Sequence, residues 1–268
     1  MTTNTVFENK IIETKAQDIL QTSVNSRNLM TVDNSLSQQA GMIKSINTYK
    51  YTGAAEEVGV GAGNSTRGGL TYTTKDYEVK MVQQAFDYQD EDFLKDNTIV
   101  DNGIKGATQM MANKMTDDFF GAILTNVAEI PKHEITDFNY DAVVDAIAKL
   151  QVEDESKLFL VISPKWKAAI RKDEDFKAAR MGEVIYNGQV GTICGIPVIV
   201  NKALATDGTF EAGFVMTKDA VTLFMKKDIE IEQARDADTR TNSIYLRSAY
   251  VTALTDATKV CLIQKGQA

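Results

Sequence analysis

Residues 53–69 read Gly-Ala-Ala-Glu-Glu-Val-Gly-Val-Gly-Ala-Gly-Asn-Ser-Thr-Arg-Gly-Gly. Such a stretch can bury little apolar area, and its glycines are free to take positive φ. On both sides the chain turns β-prone. Residues 42–52 place Ile43, Tyr49 and Tyr51 on one parity, and 70–88 carry Tyr72, Tyr77, Val79, Met81 and Phe86. The simplest structure is a long two-stranded ribbon with a flexible tip. Isolated ribbons of two strands are marginal in water. A chain that builds a long one is expected to rest it on a neighbouring subunit.

Upstream, residues 1–41 are rich in Asn, Thr, Ser and Gln. A weak helical spacing runs from Glu8 to Thr22 through Ile12, Ala16, Ile19 and Leu20. The polar stretch from Ser23 to Gln39 reads as an extended arm rather than core. Downstream, Asp90 to about Val127 switches to helical period. Phe93, Asn97, Val100, Ile104, Ala107, Met111, Met115 and Phe119 form one apolar stripe. Glu91 and Asp92 stand at its start, where negative charge suits the helix dipole. A helix of roughly 30 residues spans about 45 Å, which suits a spine across a flat plate. Gly103 and Gly106 lie within it and mark a bend or a close crossing.

Pro131 sets an element boundary. After it, Asp137 or Asn139 can cap a helix carrying Val143, Val144, Ile147 and Leu150. Lys157 to Ile162 reads as a buried strand, and Ser163-Pro164 opens a helix through Trp166 and Ile170. Asn187-Gly188 is a hairpin signal between that helix and strands over Gln189–Cys194 and Ile196–Asn201. Strands follow at Gly213–Thr217, Val221–Met225, Ile229–Arg235, Ser243–Thr255 and Thr258–Gln264. The fold class is α+β: an arm, a projecting β-ribbon, a long helix and a mixed helix–sheet domain.

The chain has 268 residues, 43% of them hydrophobic and 25% charged, with a formal net charge of −8. That is ordinary globular composition and ample for a core. The acidity argues against a protein whose main work is clamping nucleic acid. The two cysteines, Cys194 and Cys261, are too few for a disulfide scaffold or a zinc site and read as small buried hydrophobes. The single histidine, His133, removes most metal and acid–base designs and reads as a solvated loop residue. The polar start lacks an apolar h-region, and no run reaches the length of a membrane span. The expectation is a soluble chain, intracellular where it is made.

Candidate chemistry is sparse. Gly59–Asn64 superficially resembles a phosphate loop, but a glutamate-bearing stretch precedes it and β-prone sequence follows, not a helix N-terminus. Asp87, Asp90, Glu91 and Asp92 cluster, as do Asp173, Glu174 and Asp175, without the spacing of a calcium loop. Lys165, Lys167, Arg171, Lys172, Lys177 and Arg180 interleave with acids, as on a solvated helix. The 235–240 loop, with Arg235, Asp236, Asp238 and Arg240, can form ion pairs between subunits or within one. No catalytic, cofactor-binding or metal-binding residue is assigned, and the chain is read as a structural protein rather than an enzyme.

The order of parts resembles the major capsid proteins of tailed bacteriophages, the fold typified by phage Hong Kong 97 and shared by encapsulin nanocompartments. The resemblance covers nearly the whole chain. Residues Cys194-Gly195-Ile196-Pro197-Val198-Ile199-Val200 resemble the family's GxPV strand. Ile229 through Ala237, Tyr250-Val251 and Thr255–Val260 resemble its closing strands. The resemblance implies an N-terminal arm over 1–41 and an extended loop over 42–89 that lies on the adjacent subunit. It implies a peripheral domain over 90–136 and 214–268, and an axial domain over 137–213. It further implies self-assembly into hexamers and pentamers of an icosahedral head around double-stranded DNA, in the virion, after assembly in the host cytoplasm. The implied partners are a separate scaffolding protein, a portal and a decoration protein, with no cofactor, no membrane and no sequence-specific DNA contact. Some family members join lysine to asparagine between subunits; Lys50, Lys75 and Lys80 lie in the loop region, with no partner assigned. An encapsulin-like shell around protein cargo and a tail or baseplate component remain alternatives. From another class, so does a soluble enzyme using the Gly59–Asn64 loop.

Overall fold

The apolar stripe of the long helix dictates where the core lies. In a computed structural model, which describes Ala16 and residues 26–152, 154–173, 191–204 and 211–266, the helix runs Ile99–Thr125. It is about 40 Å long at 1.5 Å per residue. Its buried face includes Val100, Ile104, Ala107, Met111, Met115, Phe119 and Ile123. The expected single helix from Asp90 is instead two. A short helix Asp90–Lys95 ends where Asp96 accepts hydrogen bonds from the backbone N–H and hydroxyl of Thr98. That side-chain capping competes with helix continuation. Gly103 is a close crossing, because a Cβ there would collide with the ring of Phe86, whereas Gly106 faces open space.

The long helix packs on a four-stranded sheet of order β1-β10-β11-β4, comprising Thr31–Asp33 (β1), Lys80–Gln89 (β4), Val221–Asp236 (β10) and Thr241–Leu254 (β11). β1 is parallel to β10 and the other pairs are antiparallel. The two strands expected over 221–225 and 229–235 are one, continued through register shifts between Met225 and Glu230. Such bulges bend a strand without ending it.

A second, six-stranded sheet has the order β5-β12-β9-β6-β8-β7. Its strands are Lys132–Glu134 (β5), Leu158–Ile162 (β6), Thr192–Ile193 (β7), Ile196–Val200 (β8), Glu211–Thr217 (β9) and Val260–Lys265 (β12). Every residue of β6 is buried, as its unbroken apolar run predicts. Helix Tyr140–Leu150 is capped by Asn139, whose side chain accepts from the N–H of Ala142. Helix Pro164–Lys172 is capped by Ser163, as expected. Both helices cover a second core with Trp166 stacked on Phe138, ring centroids 4.2 Å apart. The β7–β8 hairpin turns through Cys194 and Gly195, both at positive φ as a type I′ turn requires.

The ribbon is a separate two-stranded sheet, Ile43–Thr52 (β2) against Gly69–Glu78 (β3). The β-prone run 70–88 is therefore two strands in two sheets, divided at Val79. That residue is buried beside Leu36, Phe224, Ala249 and Ala253, and its N–H donates to the carbonyl of Met42. Residues 26–38 are not a free arm. Ser26, Leu29, Met30 and Leu36 are buried, and β1 extends the sheet edge. A few apolar positions in polar surroundings suffice to dock the segment, which average composition hides. The Glu8–Thr22 spacing lies outside the described residues except Ala16, which is buried in the main core. The Asn187-Gly188 turn also lies outside them.

Candidate assembly surfaces

The ribbon divides into a fixed base and a bare distal half. At the base, Lys75 pairs with Glu129 at 2.5 Å, and the Tyr77 hydroxyl donates to the carbonyl of Leu254. Lys44 lies 4.0 Å from Asp33 and 5.1 Å from the centroid of the Phe224 ring. Beyond this, every residue from Asn47 to Thr74 is exposed except Glu56. Tyr49, Tyr51 and Tyr72 are 72%, 64% and 67% exposed, which wastes apolar area unless something covers them.

The glycine-rich tip is no anion cradle. The Glu56 carboxylate accepts from the N–H and hydroxyl of Ser65, which holds its titration below the usual carboxylate range. The next element is β3, not a helix, so no helix N-terminus faces Gly59–Asn64.

The second surface is the end of the β10–β11 hairpin. Asp90 accepts from Asn242 at 2.7 Å and from Arg235 at 2.6 Å, and Arg240 pairs with Glu91 at 2.8 Å. The Asn242 amide and then the arginines keep the Asp90 carboxyl below its ordinary value. Both arginines of the 235–240 loop thus pair inside the chain, tying the hairpin to the start of the short helix. Since the folded carboxylate is favoured, this tie contributes fully above the ordinary carboxylate range and is lost as pH falls below that range through the lowered value of the folded state. Asp90→Ala is expected to leave the fold intact and to speed amide exchange selectively over 235–242, measured by hydrogen–deuterium exchange. Unchanged exchange there would show that Asp90 does not hold the hairpin end.

His133 is not a solvated loop residue. It lies in β5, paired parallel to β12, with its side chain 15% exposed and Nε2 3.7 Å from Asp145. Burial first, then Lys149, pushes its titration below the ordinary 6.5, against the opposing pull of Asp145. The folded state disfavours the imidazolium, so stability is full above that value and declines as pH falls below it. Denaturant midpoints at pH 7.5 and 5.5 should therefore lie further apart in the wild type than in His133→Gln. Equal spacing would contradict the burial argument.

Cys261 is a buried core residue whose thiol burial raises to about 11. Cys194, expected in a strand, occupies the hairpin turn instead and is only partly buried. Asp173 accepts from the N–H of Tyr140, while Glu174, Asp175, Lys177 and Arg180 lie outside the described residues. Among the described residues no group of three or more His, Cys, Asp or Glu could hold a metal ion. No described helix is long and apolar enough to cross a membrane. What the sequence reading missed is the Lys75–Glu129 anchor, a contact across 54 positions that no local pattern signals.

A long helix on a sheet, a mixed second sheet and a projecting ribbon define a shell-forming subunit of the Hong Kong 97 type. The capsid structure of cyanophage P-SCSP1u superposes with a TM-score of 0.71 at 11% identity, over 90% of this chain and 87% of that one. A virus-like particle from Pyrococcus furiosus gives 0.64 at 12% identity, over 95% and 98%. A family model described as phage capsid protein matches residues 71–263. The chain belongs to this family of phage capsid proteins. It is also 27% identical, over 247 residues, to the major capsid protein of Staphylococcus phage phiMR11, covering 88% of this chain and 85% of that one. Its role is that of a structural component of a phage virion, and the encapsulin alternative is not favoured.

Proposed function

We propose that this chain is a major capsid protein that assembles into hexamers and pentamers of an icosahedral head enclosing double-stranded DNA. The observation that carries this reading is the ribbon: fixed to its own body at one end, bare over 47–74 at the other. Among the described residues, no contact inside one chain rewards that projection. A heterologous contact repeated around a ring does, and rings of five and six close into a shell.

In this reading the extended loop over the adjacent copy is the ribbon 43–78 rather than the whole of 42–89, since 80–89 pair with β11 in the four-stranded sheet, and an N-terminal arm over 1–41 precedes it. The peripheral domain takes the long helix and the four-stranded sheet. The axial domain around the capsomer axis takes the six-stranded sheet with its two helices, so that β5, β9 and β12 join 137–213 instead of staying with 90–136 and 214–268. A separate scaffolding protein, a portal and a decoration protein are its partners, with assembly in the host cytoplasm and no enzymatic activity. The net charge of −8 suits a container that should not grip its packed DNA. Negative-stain electron microscopy of the purified chain, alone and co-expressed with its neighbouring gene products, tests this. Closed shells or rings of five and six are expected. A uniform small particle under every condition would overturn the reading, and open tubes would favour a tail component.

A further inference from the structure

The two faces of the ribbon differ in kind. Side chains alternate across a strand, so cross-strand partners share a face. Tyr49 opposite Tyr72 and Tyr51 opposite Leu70 make one distal face, while Thr48 opposite Thr73 and Lys50 opposite Thr71 make the other. The base shows which face looks at the chain's own body. Lys44, Ile46, Lys75 and Tyr77 are partly buried there, whereas the alternating Ser45, Asn47, Asp76 and Glu78 are exposed. The polar parity therefore continues the face seated on the body, and the tyrosines point away from it. The Tyr51 ring lies over the glycines of the tip: a side chain at Gly68 would collide with it, and one at Gly53 would come within 3.1 Å of it.

We infer that the outward face centred on Tyr49 and Tyr72 is the docking surface for a second copy of this chain, and that the threonine face stays out of that contact. The inference rests on the capsid reading and adds which side of the ribbon meets the neighbour. Three tyrosines about two-thirds exposed and the half-exposed Leu70 present roughly 500 Å² of mostly apolar surface. That is below the ~800 Å² per partner of a standard one-to-one interface. A single such contact would not hold a pair. In a ring each copy donates its ribbon once and receives a neighbour's once, which doubles the contact area per subunit. The occupant is accordingly another copy rather than an unrelated partner taken one to one.

Footprinting by hydroxyl radicals, with an amine reagent for Lys50, tests this on the full-length chain before and after shell assembly. Labelling of Tyr49, Tyr51 and Tyr72 is expected to be lost in shells, while Lys50 keeps its reactivity. Shells in which the tyrosines label as before, or in which Lys50 is protected equally, would overturn the face assignment while leaving the capsid reading standing. A wild-type chain that forms no shells would overturn both. The double variant Tyr49→Ser/Tyr72→Ser should raise the critical concentration for assembly about tenfold or more. Tyr49→Phe/Tyr72→Phe should restore it, and Thr48→Ser/Thr73→Ser should leave it unchanged. A serine pair that assembles like the wild type would also overturn the inference.

Discussion

Trp166→Ala is expected to destabilise the folded chain by about 3–5 kcal/mol, the range for removing a buried aromatic and leaving its cavity. Trp166 is 2% exposed, stacks on Phe138 and donates from Nε1 to Glu211 at 2.7 Å. Its ring also explains Gly213, where a Cβ would sit 2.6 Å from it. Losing the indole opens the second core and leaves the largely buried Glu211 with one partner fewer. It is the chain's single tryptophan, so the wild type can be followed by its emission, and both proteins by far-ultraviolet circular dichroism in denaturant. A loss below about 1 kcal/mol would mean that the second core does not close around this ring.

Removing the distal ribbon is expected to have the opposite profile: little effect on folding and complete loss of assembly. Ile46 and Lys75 are cross-strand partners, so residues 47–74 can be replaced by Asn-Gly, the sequence suited to a two-residue hairpin. All the excised residues but Glu56 are exposed, and the base contacts of Lys75 and Tyr77 remain. The shortened chain should keep its stability within about 1 kcal/mol, because no core is removed and the closed loop is shorter. By sedimentation it should remain in small species where the wild type forms particles. Shells of wild-type size from the shortened chain would show that the ribbon is not what joins the copies.

Much of the architecture was legible because it is written locally. The stripe Val100, Ile104, Ala107, Met111, Met115 and Phe119 is buried as its spacing predicts. The Ser163-Pro164 start, the Asn139 cap and the buried strand Leu158–Ile162 likewise follow from neighbouring residues. What escaped is tertiary. Strand propensity is continuous across Val79, and only its burial against Phe224 and Ala253 divides the run between two sheets. Bulges carry β10 past Lys227 where pattern alone suggests two strands. Leu29 and Leu36 look like isolated apolar residues in a polar arm until β1 is laid beside β10. The assembly surface was half legible. The glycine-rich tip and the tyrosine parity are visible in sequence, but which face turns outward depends on how Lys44, Ile46 and Tyr77 seat on the body.

The most direct measurement is a single-particle electron cryo-microscopy reconstruction of particles assembled from the wild-type chain. The expected result is a closed shell of five- and six-membered rings, with the density of residues 47–74 lying across the adjacent copy. A discrete small oligomer, or a shell whose ribbons fold back on their own subunits, would contradict the claim that this projection is the element joining one copy to the next.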